Sequence, residues 1–296
     1  MMEVNGRAFY HCDLIKSITL RNVTKIGQSA FCGCRNLTNV VVLSDLVTEI
    51  GPYAFAHCSA LTSVTLPNGL TKIGKEVFYR CRNLTTITIP NSVTEIGHNA
   101  FAECSFLTSV TLPNGLTKIG PGAFYCCYLT TIVIPDSVTE IGHYAFAECS
   151  FLTSVVLPNG LIKIGYSAFY NCRRLTTITI PGSVTEIESY VFAECSSLTS
   201  VTLPNGLIKI EDSAFYNCRN LKTMTIPISV TSIGPEAFAE CSSLTSVILL
   251  NKLTIIRKKA FYHCYNLANL SVDRSALKSI VLSNGLTKMW EKIYWN

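Results

Sequence analysis

The sequence predicts an α/β solenoid of about twelve stacked 23-residue repeats, with strands on one side and short helical or 3₁₀ turns on the other. The first observation is a phenylalanine that recurs at steps of 22 to 24 residues, at Phe9, Phe31, Phe55, Phe78, Phe101, Phe124, Phe146, Phe169, Phe192, Phe215, Phe238 and Phe261. The second is a cysteine three residues after each of these phenylalanines, from Cys12 to Cys264. A repeat of this length over nearly the whole chain is typical of coils that stack into one elongated core.

The composition fits such a core. Hydrophobic residues make up 48% of the 296 residues and charged residues 15%, which is enough apolar material for a continuous interior. The net charge of +5 is spread along the chain, so we predict no nucleic-acid partner, which would need a basic stripe. No apolar run reaches the ~20 residues of a membrane span, and the first residues lack the layout of a signal peptide.

The first repeat is partial. Val4 stands where later repeats carry the isoleucine of I-G-x-x-A-F, and no strand or polar outer face precedes it. Terminal coils of solenoids normally present a polar face to water. We therefore expect either a missing N-terminal segment or an end covered by a partner, including self-association through this uncapped end.

Each full repeat contains four parts. Leu107, Val110 and Leu112 illustrate L-x-x-V-x-L, whose alternation and Thr/Val/Ile content predict a short strand. A turn such as Pro113–Gly115 ends that strand, because proline has no N–H to donate. A second extended piece, L/V-T-K/E-I-G, follows. Finally, A-F-x-x-C sets alanine and cysteine four residues apart, which predicts a short helical or 3₁₀ turn.

Charged residues form a second pattern in the second extended piece. They alternate in sign without exception, as Lys25, Glu49, Lys72, Glu95, Lys118, Glu140, Lys163, Glu186 and Lys209. If consecutive repeats stack in register, each lysine lies between two glutamates, and such pairs contribute about 0.2–1 kcal/mol each. We interpret this column as structural.

The fourteen cysteines are also interpreted as structural. Twelve share one position of the repeat, which favours a ladder of reduced, buried thiols over a disulfide framework. Neighbouring coils spaced at ~4.8 Å would still bring cysteines within disulfide range, so pairing stays open. Cys32 and Cys126 lie outside the ladder and are expected to be the more exposed and reactive thiols.

We divide the chain into a solenoid over residues 1–272 and a degenerate last coil with a C-terminal cap over residues 273–296. The second segment contains no A-F-x-x-C. Its aromatic end includes Met289, Trp290, Tyr294 and Trp295, which fit a cap or, alternatively, a docking tip.

With L-x-x-V-x-L-P, I-G-x-x-A-F and C-x-x-L together, residues 4–272 resemble the BspA-like (treponemal-type) leucine-rich repeats. The departures are Cys32 after Phe31, Glu188 and Glu211 in place of glycine, and Leu250 and Asp273 in place of proline. The resemblance implies a right-handed leucine-rich-repeat superhelix with its parallel sheet on the concave face. It also implies a microbial surface or secreted protein that adheres to host matrix proteins or to other cells.

No catalytic or cofactor site is predicted. The chain lacks G-x-S-x-G, a P-loop, H-E-x-x-H and G-x-G-x-x-G. His11, His57 and His263 precede ladder cysteines, but adjacent residues point apart, which disfavours a metal site. A buried thiol is a poor nucleophile. We expect no metal, no cofactor and no enzymatic activity.

The outward side of the first strand is the predicted partner-binding surface, on the concave face. Its members are short, uncharged side chains that flank the buried valine or isoleucine: Ser63, Thr65, Thr86, Thr88, Ser109, Thr111, Thr131, Ser154, Thr177, Thr179, Ser200, Thr202, Thr223 and Thr225. Three interpretations stay open, namely β-propensity with solubility, docking of an extended protein partner, and an ice-binding lattice of T-x-T ranks.

Two functions follow. The first is a non-enzymatic protein-binding module, an adhesin or surface antigen for host matrix or cell-surface proteins. The alternative is an intracellular protein–protein interaction scaffold with a reduced cysteine ladder. The family resemblance indicates a cell-surface or secreted location, whereas the absence of a signal peptide in this sequence is compatible with the cytoplasm.

Overall fold

The structure, a computed structural model, describes residues 2–42, 44–249 and 255–272. These residues form a parallel β-solenoid of about 11 turns, which agrees with the eleven steps that separate twelve repeating phenylalanines. The predicted C-terminal cap at 273–296 lies outside the described residues. Within them, no helix is long and apolar enough to cross a membrane.

Each coil contributes two short strands. In chain order they are β1 (Met2–Val4), β2 (Ser17–Leu20), β3 (Val23–Ile26), β4 (Asn39–Val42), β5 (Glu49–Ile50), β6 (Ser63–Thr65), β7 (Lys72–Ile73), β8 (Thr86–Thr88), β9 (Glu95–Ile96), β10 (Ser109–Thr111), β11 (Lys118–Ile119), β12 (Thr131–Val133), β13 (Glu140–Ile141), β14 (Ser154–Val156), β15 (Lys163–Ile164), β16 (Thr177–Thr179), β17 (Glu186–Ile187), β18 (Ser200–Thr202), β19 (Lys209–Ile210), β20 (Thr223–Ile226), β21 (Ser232–Ile233), β22 (Ser246–Leu249), β23 (Ile255–Ile256) and β24 (Asn269–Val272).

All strand pairs are parallel and join equivalent residues of consecutive coils. Odd-numbered strands form an eight-stranded sheet from β1 to β15 and a four-stranded sheet from β17 to β23. Even-numbered strands form five shorter sheets of two or three strands each. The two rows run along different sides of the coil, with the apolar columns between them.

The core is a stack of aromatic rings lined by thiols. Consecutive column phenylalanines lie nearly parallel, with ring centroids 5.1 to 5.7 Å apart and interplanar angles of 1° to 14°. These distances suit offset stacking. Each ladder cysteine from Cys34 onward donates from Sγ to the carbonyl of the phenylalanine one coil earlier, as Cys127 does to Phe101 at 3.1 Å.

The predicted helical or 3₁₀ turns are wrong, and with them the α/β class. None of the described residues is in a helix. The A-F-x-x-C run is instead a chain of turns in which the residues two before and two after each phenylalanine have left-handed φ. Around Phe101 these are Asn99 at φ 50° and Glu103 at φ 58°.

The reason for this backbone is a hydrogen-bond partner in the neighbouring coil. Around Phe101, alternate N–H groups donate forward: Asn99 to Pro121, Phe101 to Ala123 and Glu103 to Tyr125, all within 2.9 Å. The intervening N–H groups close local turns, as Cys104 does to Phe101 at 3.2 Å. A helix would direct every N–H along one short segment, which is too brief to be stable alone. Stacking satisfies the same groups in every coil.

The alternating charge column is in register. Lys72 pairs in the sheet with Glu49 and Glu95, and Lys118 pairs with Glu95 and Glu140. In this column, among the residues described, only Lys72 and Glu95 approach to ion-pair distance, at 2.9 Å. Because both side chains are partly exposed, the alternation contributes to register more than to stability.

Candidate functional site

We call the outward side of the even-numbered strands β6 to β20 the strand face. All fourteen predicted binding residues lie on it and all are exposed, from Ser63 to Thr225. The residue between each outward pair is buried or half-buried, as Ile87 and Val110 are. This arrangement follows from the two-residue period of a strand, which sends neighbours to opposite sides.

Stacking in register turns these residues into rows along the solenoid. Thr86 lies beside Ser109 and Thr88 beside Thr111. Further along, Thr177 lies beside Ser200 and Thr179 beside Thr202. Neighbouring strands are ~4.8 Å apart, so the rows repeat at that spacing. The result is an uncharged surface of short side chains, whose strand pairing is interrupted between β6 and β8, β10 and β12, β14 and β16, and β18 and β20.

Most hydroxyls on the strand face are free to bond outside the molecule. Ser63 donates to Asn39 at 2.9 Å, and within the described part of the chain no other of the fourteen makes a side-chain hydrogen bond. By contrast, five of the seven threonines that directly precede an outward position, Thr62, Thr108, Thr153, Thr176 and Thr199, donate to a carbonyl one coil earlier. Thr153, for example, donates to the carbonyl of Thr130 one coil earlier at 3.0 Å.

Sequence reasoning missed an aromatic row beside the strand face. Phe106, Tyr128 and Phe151 occupy the position directly before the column leucine in three consecutive coils, with centroids 6.2 Å and 4.6 Å apart. Arg174 continues the row, its guanidinium lying 4.6 Å from the Phe151 ring centroid. Phe106 is 55% exposed. The sequence did contain a signal for this row: three consecutive coils carry an aromatic residue at a position where later coils carry small or polar residues, such as Ser197.

Two of the same coils also present apolar side chains on the strand face. Val133 and Val156 are 65% and 53% exposed, and they are partners in the β12–β14 register. Aromatic residues and arginine are enriched in protein–protein interfaces and in their energetic centres. The coils of Phe106, Tyr128 and Phe151, which we call the middle coils, therefore combine side chains typical of a protein–protein interface with surrounding polar residues.

The turn side carries polar groups that bind one another. We call the residues that stand two positions after each column phenylalanine the turn column. Asn217 of this column donates to Glu194 one coil earlier at 2.6 Å and accepts from Arg219 Nε at 2.7 Å. In an earlier pair, burial disfavours the charged form of Glu103. Hydrogen bonds from Arg80 and Tyr79 outweigh that effect, so the pKa of Glu103 is lowered.

The thiols are unsuited to nucleophilic chemistry. All fourteen cysteines are free. Burial raises the pKa of ladder thiols, to about 12 for Cys149 and Cys195. Burial also raises the pKa of Cys32 and Cys126. Cys32 is only 8% exposed, so the expectation of an exposed, reactive thiol there was wrong. No cluster of three or more His, Cys, Asp or Glu among the described residues could hold a metal ion.

Comparison with known proteins supports one family. The family model described as the BspA type leucine-rich repeat region (6 copies) matches residues 2–120, 71–199 and 163–284. A comparison with curated proteins finds no match.

Solved structures of bacterial repeat proteins are similar to this chain. A leucine-rich repeat protein from Bacteroides ovatus is 29% identical, with a TM-score of 0.66 over 89% of this chain and 70% of that one. A leucine-rich cell surface protein from Faecalibacterium prausnitzii is 30% identical, with a TM-score of 0.57 over 97% of this chain and 87% of that one. The leucine-rich repeat protein of T. pallidum is 31% identical, with a TM-score of 0.52 over 54% and 78%. The resemblance inferred from the repeat is confirmed: the chain belongs to the BspA-type leucine-rich repeat family.

Proposed function

We propose that this chain is a non-enzymatic protein-binding module, a microbial surface adhesin or antigen that holds host matrix or cell-surface proteins on its strand face. The observation that carries the proposal is the set of fourteen exposed, aligned Ser and Thr residues, of which only Ser63 makes a side-chain hydrogen bond within the described ranges. Short side chains lose little conformational entropy on binding, so such a surface suits an extended partner. The F. prausnitzii relative is described as a cell surface protein, which supports a surface location here.

The middle coils are the proposed centre of that interface. Phe106, Tyr128 and Phe151 would supply rigid apolar contact area, and Arg174 a donor fork. Val133 and Val156 would add apolar contact area on the strand face. A few such anchors typically dominate binding energy, while the surrounding polar residues provide complementarity.

The test is binding of the purified chain to immobilised fibronectin, laminin, collagen and solubilised cell-surface proteins, followed by interferometry. A triple variant, Thr86→Glu, Thr111→Glu and Thr177→Glu, places three charges on the strand face and is expected to abolish binding. Phe106→Ala with Phe151→Ala should weaken it at least tenfold, as loss of a hot spot does.

The matched control places the same number of charges elsewhere. Asn114→Glu, Asn159→Glu and Asn205→Glu alter exposed residues of the turn after the strand. This control should bind as the unmodified chain does. If both triple variants bind normally, the strand face is not the site. If none of the probes binds the unmodified chain, the adhesin proposal fails.

The alternative function, an intracellular interaction scaffold, is favoured by the free, buried cysteines. Thiol counting on protein isolated under alkylating conditions separates the two. A ladder that is fully alkylated only after denaturation indicates a reducing compartment. Protein that carries disulfides when isolated from the cell surface supports the adhesin.

Self-association through the N-terminal coil is a further part of the proposal. β1 is the edge of its sheet among the described strands, and Met2 in β1 and Leu14 later in the same coil are 61% and 96% exposed. Sedimentation of the chain and of Leu14→Lys tests it. A dimer that persists in the lysine variant would place the contact elsewhere.

A further inference from the structure

The turn column changes character along the solenoid. From the fourth coil onward it contains internally paired groups, such as Arg80 with Glu103 and Asn217 with Glu194. In the first three coils it contains His11, Gly33 and His57 and no acidic residue. The N-terminal end of this column therefore lacks the carboxylates that neutralise it elsewhere.

The second coil also leaves a gap. Gly33 has φ +77°, and a Cβ there would lie 2.6 Å from Nδ1 of His11, so the His11 ring leans over the glycine. Cys32 stands where alternate later coils carry tyrosine, as at Tyr79 and Tyr125. Two small residues together make a depression between the larger side chains of the first, third and fourth coils.

The depression is a groove of about 710 Å³. Its lining includes six basic residues, Arg7, His11, Arg35, His57, Arg80 and Arg82, and no carboxylate among the described residues that line it. This volume lies within the range of small-molecule sites, roughly 300–1,000 Å³. Four of the ten arginines of the chain thus meet at one place.

Most of these charges lack a counter-ion. Arg80 pairs with Glu103 at 2.8 Å, whereas no ion pair within the described ranges involves Arg7, Arg35 or Arg82. The Arg7 guanidinium lies 5.7 Å from the Tyr10 ring centroid. Asp13, the acid nearest Arg35 in the hydrogen-bond network, accepts from the Arg35 backbone N–H at 2.9 Å.

His57, one of the two histidines that line the groove, lies close to these arginines. The pKa of His57 is lowered by burial first and then by Arg80; Glu103 opposes this shift, and His11 and Arg82 add smaller lowering effects. Like charges held together without an anion are costly, and a bound anion would relieve that repulsion.

We propose that this groove binds a small polyanion that carries two or more phosphate or sulfate groups. Guanidinium forks match the oxygens of such groups bidentately, and arginine is the residue of choice for them. Arg35 and Arg82 come from the second and fourth coils, so they are ~10 Å apart along the axis at ~4.8 Å per coil. The four arginines of the lining present more N–H donors than the oxygens of one tetrahedral anion accept, which favours a ligand with at least two such groups.

The test is titration calorimetry at low ionic strength with two probes, inorganic tripolyphosphate and a fully sulfated heparin tetrasaccharide. At least one should bind, with an affinity that falls as salt is added. Binding of the first alone indicates a phosphate ligand, and binding of the second alone a sulfated glycan end. Binding of both means that the groove recognises the shared oxyanion chemistry.

The variants use the repeat itself as the control. Arg35→Gln and Arg82→Gln should each weaken binding about tenfold, the usual effect of losing a charge-assisted pair. Cys32→Tyr installs the residue of later coils and should close the groove. Arg173→Gln and Arg219→Gln change the same position of the repeat in the eighth and tenth coils, and they should leave binding unchanged.

Three results would overturn the proposal. They are failure of both probes to bind, equal weakening by Arg219→Gln and Arg82→Gln, and unchanged binding to a folded Cys32→Tyr variant. If Cys32→Tyr does not fold by circular dichroism, the arginine comparison decides alone. None of the residues that line the groove belongs to the strand face, so the outcome is independent of the proposed protein-binding function.

Discussion

The interior and the strand face of this solenoid are made by the same repeats but use opposite kinds of side chain. Inside, each coil buries a phenylalanine and a thiol against the next coil, and ten of the twelve rings are fully buried. Outside, the same coils present Ser and Thr whose hydroxyls mostly have no hydrogen-bond partner among the described residues. Stability is therefore concentrated in the interior columns, and the strand face is left open to substitution and to binding.

Alkaline pH should produce the largest effect, because it acts on the whole thiol ladder at once. Burial raises the pKa of the ladder thiols, to about 11 for Cys34 and to about 12 for Cys149 and Cys195. In the unfolded chain these thiols ionise near pH 8.5–9, so above that pH the unfolded state binds fewer protons and stability falls.

For each thiol that stays protonated in the folded state, the free energy of unfolding falls by about 1.4 kcal/mol per pH unit above about pH 9. Melting temperatures measured from pH 7 to 11 should therefore be flat up to about pH 8.5 and then drop steeply. A variant with Cys127, Cys172 and Cys218 all changed to Ala is expected to be less stable at pH 7 but to show a shallower alkaline slope. An equal slope in both proteins would contradict a protonated, buried ladder.

Phe124→Ala should have the next largest effect. It removes a fully buried ring that stacks on both neighbours at 5.4 Å, and such deletions cost about 3–5 kcal/mol. Denaturant unfolding at pH 7 measures the loss. Cys127→Ala, which leaves the stack intact and removes one thiol donor, is expected to cost less. A Phe124→Ala protein as stable as the parent would mean that the ring is not in the core.

Ser213 tests the left-handed turns. It is buried, has φ 53°, and stands two residues before Phe215. Glycine adopts this conformation without the strain that alanine meets, so Ser213→Gly should be more stable than Ser213→Ala by about 1 kcal/mol. In a helix the order would be reversed, since alanine is the better helix former by about the same amount. Thermal melts of the two variants therefore distinguish the turn run from a helix.

Thr111→Ala should have the smallest effect. The side chain is exposed and makes no hydrogen bond within the described residues, so the change in unfolding free energy should stay within about 0.5 kcal/mol. The same denaturant series as for Phe124→Ala measures it. A loss of unfolding free energy above about 1 kcal/mol would show that the strand face also stabilises the stacking of the coils. The difference in stability between the interior and the strand face would then be smaller than we expect.

The repeat, its inward columns and the outward Ser and Thr positions could be read from the sequence, because each depends on local period and side-chain type. Phe124, Cys127 and Leu112 are apolar in every equivalent coil, and Thr111 lies on the other side of a two-residue alternation. The aromatic row at Phe106 was also readable in principle. It was missed because its signal spans only three coils.

The backbone of A-F-x-x-C was decided only by the tertiary structure. Its spacing suits a helical turn and a chain of left-handed turns equally, since both place Ala123 and Cys127 on one side. The choice depends on hydrogen-bond acceptors one coil away, such as the Ala145 carbonyl, which accepts from the Phe124 N–H at 2.8 Å. The basic groove depends likewise on four coils meeting in space. The sequence by itself determined which side chains are buried and repeated; the stacking of coils decided the path of the chain between them, because its polar groups bond to neighbours that no local pattern reveals.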